Sequence, residues 1–215
     1  MKKKKIKVAI DSPAAAGAGT QARLISKHYN LFYLDTGKIY RLIGLMKIKN
    51  NNKINYSNVQ KKIKSLKVNN LKKKELLASE VGIAASIVAK DKKIRNLVHN
   101  FQIECAYNPP KKYNGSCLDG RDITYKIIPD ADFKFFITAS VKTRAKRRYL
   151  ELKSLKNKIS FNQVLKSIKK RDKSDYTRKI SPLTKKYSIL INSENLTKKA
   201  CFLKIKKIMD RKIKS

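Results

Sequence analysis

Acidic residues are scarce in this chain of 215 residues: 15 Asp and Glu stand against 53 Lys and Arg, a formal net charge of +38. Cysteine is scarce too. Cys105, Cys117 and Cys201 lie far apart, with no Cys-x-x-Cys pair, which argues against a disulfide framework or a zinc site and for a reducing cytoplasm. The two histidines, His28 and His99, fall on predicted helices without metal-ligand spacing. Long apolar runs are missing: nothing approaches the roughly 20 residues that a membrane span needs. The start, Met1 to Lys5, has a signal peptide's charge, but only the short run Ile6–Ile10 follows. It lacks the apolar core and cleavage site of such a leader.

What is abundant explains the charge. Lys, Ile and Asn fill 83 of the 215 positions. All three have A/T-rich codons, so a biased genome supplies a basic surface without a nucleic-acid partner, although a pI near 10.3 is also the footprint of such a binder. Hydrophobic residues at 41% suffice for a core in a single domain spanning 1–215. Where lysine serves, this composition supplies lysine. The ten arginines therefore mark places that need a planar, bidentate guanidinium.

The hydrophobic pattern gives alternating elements. Strands are predicted at Ile6–Asp11, Leu31–Leu34, Ser116–Leu118, Phe133–Thr138 and Tyr187–Ile191. Helices are predicted at Gln21–Tyr29, Gly37–Lys49, Glu80–Lys90, after Asp91 up to Asn108-Pro109-Pro110, from Ser140 to about Lys156, after the Ser160/Gln163 capping box, and at Leu196–Lys212. The Lys/Asn-rich stretch from about 50 to 75 reads as a weakly structured insert, and Lys173–Thr184 as a polar loop. Strands separated by helices require parallel crossovers, hence an α/β three-layer fold with a central five-stranded parallel sheet.

Between the first strand and helix lies Ser12-Pro13-Ala14-Ala15-Ala16-Gly17-Ala18-Gly19-Thr20. Such a small-residue loop aims N–H groups and a helix N-terminus at an anion, or it is a plain tight turn. Three further segments bear on this: Leu34-Asp35-Thr36-Gly37-Lys38-Ile39-Tyr40-Arg41; Leu118-Asp119-Gly120-Arg121-Asp122; and Arg171 to Arg178 with Pro182-Leu183. Together these resemble bacterial cytidylate kinases, from about Ile6 to Arg211, most weakly across 47–75. The resemblance implies a P-loop NTPase fold with a small monophosphate-binding insert (47–75) and a mobile lid (155–185). It implies ATP-dependent phosphorylation of CMP or dCMP, with ATP and Mg2+ as cofactors, in a cytoplasmic enzyme that is a monomer and works on nucleotides rather than on nucleic acid or membrane.

Residue by residue, the resemblance places Ser12 to Thr20 at the ATP phosphates. Arg41 and Arg121 match residues at the CMP phosphate. Ser86, Arg95, Asp122 and Arg178 match residues that read cytosine, and Arg171 and Asp175 match residues on the pentose. Asp35 falls in the same acceptor motif, and Asp119 faces the magnesium shell, reaching the ion through water. Arg121, Arg171, Arg178 and Asp119 are the expected catalytic set. The chemistry is coherent, since cytosine offers an amine to a carboxylate and acceptors to arginine or hydroxyl.

The chain also departs from that family. The loop's usual first glycine is Ser12, and its usual lysine, which reaches the transferred phosphoryl group, is Ala18. The glycine expected after Arg121-Asp122-Ile123 is Thr124, and Leu77 stands where an arginine is usual. Either another cation substitutes for the lysine, or the chain is a catalytically impaired nucleotide-binding relic. An RNA-binding protein is the remaining reading, resting on charge alone.

Overall fold

The structure is a computed structural model and describes residues 5–154 and 159–214. Its centre is a five-stranded, wholly parallel sheet of β1 (Ile6–Asp11), β2 (Phe32–Asp35), β3 (Gly115–Gly120), β4 (Phe133–Thr138) and β5 (Ile189–Asn192), in the order β2-β3-β1-β4-β5. Helices cover both faces: α1 (Ala18–Tyr29), α2 (Thr36–Lys49), α3 (Tyr56–Lys64), α4 (Ser79–Val88), α5 (Lys92–Tyr107), α6 (Val141–Ser154), α7 (Phe161–Thr177) and α8 (Lys198–Lys214). The α/β three-layer reading therefore holds.

The pleat of β1 divides the core. Val8 and Ile10 point to one face, where they pack with Ala22 and Ile25 of α1 and Cys201, Ile205 and Met209 of α8. Ala9 points to the other, with Ile39, Leu42 and Ile43 of α2 and Ile94 and Val98 of α5. Successive strand residues face opposite sides, so one apolar strand serves both layers. All three cysteines are buried as free thiols.

Two expectations need correction. The stretch 50–75 is structured. Asn55 accepts from the Asn58 N–H at 3.0 Å and caps α3, which buries Val59 and Ile63. Tight turns at Val68–Lys72 and Lys74–Leu77 then bury Leu71 and Leu76. Few apolar positions, widely spaced among lysines, were enough because Val59, Ile63, Leu66 and Leu71 are buried and Ile54 and Val68 pack against them. The second correction lies at Lys173–Thr184. Here α7 continues to Thr177 with Asp172 and Asp175 facing inward, so its buried side is acidic and escapes a search for apolar periodicity. Lys156, the expected end of the basic helix, falls outside the described residues.

Helices α6 and α7 pack on each other through a small separate core of Ala145, Leu152, Val164 and Ile168. The capping box at Ser160 and Gln163 is present in both directions. Buried Arg144 fastens this pair to the sheet. It donates to Asp172 at 3.0 and 2.6 Å, to Ala139 O at 2.9 Å and to Ala14 O at 3.0 Å.

Candidate functional site

Loop 12–17 leaves the C-terminal end of β1 beside Gly120 of β3, where the Ser12 N–H donates to Gly120 O at 3.3 Å. Gly17 takes φ 94° at the N-cap of α1, and its carbonyl accepts from Thr20 and Gln21 at 3.1 Å each. A left-handed conformation is easy for glycine. Ala15 takes φ 60° as well, a conformation costly to a residue with a Cβ. The carboxyl ends of parallel strands, where connections leave the sheet, are the usual ligand crevice of such folds. The loop and the first turn of α1 thus present main-chain N–H groups and a positive helix end to that crevice.

The end of β3 supplies the facing groups. The Asp119 carboxylate accepts from Tyr33 Oη at 2.8 Å, and its other oxygen would lie 3.5 Å from a Cβ on Gly19. Burial and nearby Asp35 raise its pKa well above the usual carboxylate range. Such a group gains from a cation. Asp35 itself caps α2, accepting from the Lys38 N–H at 3.3 Å. Thr124, standing in place of a glycine, is fixed by Asp11. Its N–H and hydroxyl donate to Asp11 Oδ2 at 3.0 and 2.6 Å, and Ile123 N–H donates to Oδ1 at 2.9 Å. Burial raises the Asp11 carboxyl to about 6. One wide turn follows, closed by Ile128 N–H to Ile123 O at 2.8 Å.

Beyond Asp119, guanidinium groups converge. Arg121 Nε donates to Asp175 Oδ2 at 2.9 Å and its Nη1 to Gly120 O at 3.0 Å. Arg171 and Arg178 lie 3.9 and 3.7 Å from the same carboxylate. Although burial works against ionisation, these three arginines hold the Asp175 carboxyl below its ordinary value. Burial and then Arg121 push Arg171 down to about 10. Arg171 Nε and Arg178 Nη2 are enclosed without a hydrogen-bond acceptor. One carboxylate among three guanidiniums leaves net positive charge and unused donors, the condition of an anion site.

Arg41 enters from α2, donating to Leu76 O at 2.7 Å and Ala78 O at 3.2 Å. Gly82 of α4 makes room for it, since a Cβ there would stand 2.9 Å from Arg41 Nη2. Arg95 pairs with Asp122 in a short contact and also donates to Ala89 O at 3.1 Å. Its guanidinium lies over the Tyr40 ring, 5.7 Å from the centroid. Ser86 Oγ donates back to Gly82 O at 3.3 Å. No hydrogen bond or ion pair among the described residues joins Ser86 or Asp35 to the arginines, although the charge of Asp35 acts on Arg41.

The structure thus brings Arg121, Arg171, Asp175 and Arg178 together, couples Arg95 to Asp122, and sets Arg41 at the insert's edge. Sequence reading missed Arg144 and Asp172, which hold α6 and α7 on the loop. It also missed Tyr40 and Tyr125. Tyr125 Oη donates to Pro182 O at 2.6 Å, tying the turn after β3 to the segment after α7. The one available signal was that Arg144 is an arginine at all in a chain rich in lysine.

A phosphate loop on a parallel sheet, faced by a helical insert and a helix pair that carry convergent arginines, defines a P-loop phosphotransferase of the nucleoside monophosphate kinase type. The family model for cytidylate kinase matches residues 8–211, and the chain belongs to that family. Cytidylate kinase of Thermosipho melanesiensis is 37% identical over 97% of this chain and 98% of its own. That of Bartonella tribocorum is 42% identical over 82% and 80%, and that of Mesomycoplasma hyopneumoniae 34% over 98% and 96%. Among solved structures, an uncharacterized protein from Eubacterium ventriosum covers 96% of this chain with a TM-score of 0.54 at 20% identity, a likeness of fold alone.

Proposed function

We propose that this chain transfers the γ-phosphoryl group of Mg-ATP to CMP or dCMP. The observation that carries the reading is the surplus of enclosed, acceptor-free guanidinium donors around Asp175, opposite the loop of residues 12–20. In the transfer, the bond from γ-phosphorus to the β–γ bridging oxygen breaks and a bond to a CMP phosphate oxygen forms, leaving ADP and CDP. Little covalent chemistry is asked of the protein. It must align donor and acceptor and neutralise charge on the moving group.

In this reading the roles divide among the residues described above. The loop's N–H groups hold the donor phosphates. Arg41 and Arg121 face the acceptor phosphate, and Arg171 and Arg178 close over the nucleotide from α7. The Asp122 carboxylate accepts from the cytosine amine, with Arg95 holding it. Asp175 orients the pentose and spaces the three arginines. Magnesium, bound with ATP, supplies further positive charge at the phosphates. Asp119 suits it, because its buried carboxyl is discharged by a cation. A hydrated ion held by one or two carboxylates is ordinary magnesium coordination. Bringing α6 and α7 down excludes water from the transfer.

A coupled assay with CMP, dCMP and UMP tests this. Turnover of the cytosine nucleotides above UMP is expected. Tight binding of ATP and CMP without product would instead establish a nucleotide-binding relic.

A further inference from the structure

Tyr125 takes no part in the roles assigned above, yet it stands among the residues that carry them. It lies half-buried in the wide turn after β3, and the charges of Asp122, Arg178 and Arg95 all act on its phenol. Asp11 holds that turn by accepting from both the N–H and the hydroxyl of Thr124, the residue before it. The backbone at Tyr125 is therefore fixed to the last residue of β1.

The Tyr125 hydroxyl donates to Pro182 O at 2.6 Å, across 57 residues of chain. Pro182 belongs to a short hook that follows α7. Leu183 N–H donates back to Asp175 O at 2.8 Å, and Ser181 takes φ 50°. The Ser181 carbonyl meets Arg178, whose Nε donates to it at 2.6 Å. A left-handed conformation is unfavourable for a residue with a Cβ and persists where neighbours fix it. Tyr125 supplies such support from another element. Arg178 is then held through Nε, with Nη1 3.7 Å from the Asp175 carboxylate, while Nη2 is enclosed without an acceptor. The hook thus orients the guanidinium and leaves one edge of it for a ligand. An arginine held in this way loses less rotamer freedom on binding than a free one.

Building on the proposed kinase activity, we propose that Tyr125 is a positioning residue for the acceptor nucleotide, its hydroxyl presetting Arg178 through Pro182 and Ser181. It touches neither nucleotide and moves no proton. Its effect falls on the affinity for CMP and dCMP, because Arg178 serves the acceptor.

Tyr125→Phe deletes the hydroxyl and keeps the ring, whose centroid lies 5.7 Å from that of Tyr187. Calorimetric titration of the full chain with CMP should show a dissociation constant raised about three- to tenfold, the worth of one net hydrogen bond. KM for CMP should rise with it, while KM for ATP and kcat stay within about twofold. Thermal unfolding verifies folding. Coupling to Arg178 is the decisive readout. In an Arg178→Ala background, Tyr125→Phe should change CMP binding by less than about twofold, since the group it positions is gone.

Unchanged CMP affinity in Tyr125→Phe would overturn the proposal, whatever the thermal midpoint. Equal losses with and without Arg178 would overturn it too, by giving Tyr125 an effect of its own on the nucleotide or the fold. So would a KM for ATP that rises as much as that for CMP, which would make the hydroxyl a support of the whole crevice. The binding measurement needs no turnover. A chain that binds CMP without forming product fails the kinase reading and leaves this proposal to be decided by calorimetry, whereas a chain that does not bind CMP fails both.

Discussion

Asp122 is buried and already paired with Arg95 before any nucleotide arrives. A carboxylate held in this way accepts from the cytosine amine and meets repulsion from the carbonyl that uracil shows at the same place. Asp122→Asn offers both a donor and an acceptor. It is expected to narrow the ratio of kcat/KM for CMP over UMP by about tenfold or more, because a hydrogen-bonding site discriminates chiefly through the groups it leaves unpaired. An unchanged ratio would show that Asp122 does not read the base. Ala15 offers a stability test at the same scale. Its φ of 60° costs about 1–2 kcal/mol, and glycine would return about 0.4–1 kcal/mol of that through the freer unfolded chain. Ala15→Gly should therefore raise the thermal midpoint by about 1–4 °C. A lower midpoint would mean that the alanine methyl, which packs against α6 and α7, outweighs the strain.

Between α6 and α7 the decisive contact is ionic. Arg144 and Asp172 form a buried fork whose remaining donors satisfy Ala139 O and Ala14 O. Removing one partner strands the other charge in a poorly solvated place. Asp172→Ala is expected to destabilise the protein by about 3–5 kcal/mol in denaturant unfolding. Because Arg144 also braces the loop, KM for ATP should rise in the same variant. A loss below about 1 kcal/mol would show that the fork is dispensable. The last turn of α7, from Lys173 to Thr177, escaped sequence reading for the same reason. The inward residues of the helix there, Asp172 and Asp175, are acids, and only the arginines across from them make that face internal. The insert presents the opposite case. Val59, Ile63, Leu66, Leu71 and Leu76 are all buried, but their spacing follows one short helix and two tight turns rather than a single period.

Across the whole molecule, surface charge is overwhelmingly basic while the crevice floor buries acids. Asp11 is raised to about 6, and Asp119 is raised as well, chiefly by desolvation. A carboxyl whose folded pKa lies above its unfolded value binds more protons folded than unfolded. Its contribution to stability is thus present in mild acid and falls as pH rises. For the ligand-free protein, the part due to Asp11 should decline from about pH 4 to above pH 6, with Asp119 extending the decline. Asp175 runs the other way, since its lowered pKa protects the fold until acid protonates it. Thermal unfolding across pH 5 to 8 should show a falling midpoint, and Asp119→Asn should flatten the upper part of that fall. Equal slopes in the two proteins would remove Asp119 from the account. No described helix is long and apolar enough to cross a membrane.

The sequence by itself determined the sheet, most helices and the phosphate loop. Strand cores, capping residues such as Asp91, whose carboxylate accepts from Ile94 N–H at 3.1 Å, and small-residue turns act over a few neighbours and leave periodic traces. The resemblance to cytidylate kinases also singled out Arg41, Arg95, Arg121, Arg171 and Arg178, five of the ten arginines in a chain where lysine is the default. Only the tertiary structure decided how these charges are shared. It set three guanidiniums around Asp175, gave Arg144 to a buried brace, and sent Arg148 across the crevice towards Leu77 O. Those outcomes depend on which carboxylate or carbonyl comes within reach after folding. A guanidinium's partners lie 71 residues away for Arg148 and 130 for Arg144 with Ala14, and no local pattern records a separation of that length.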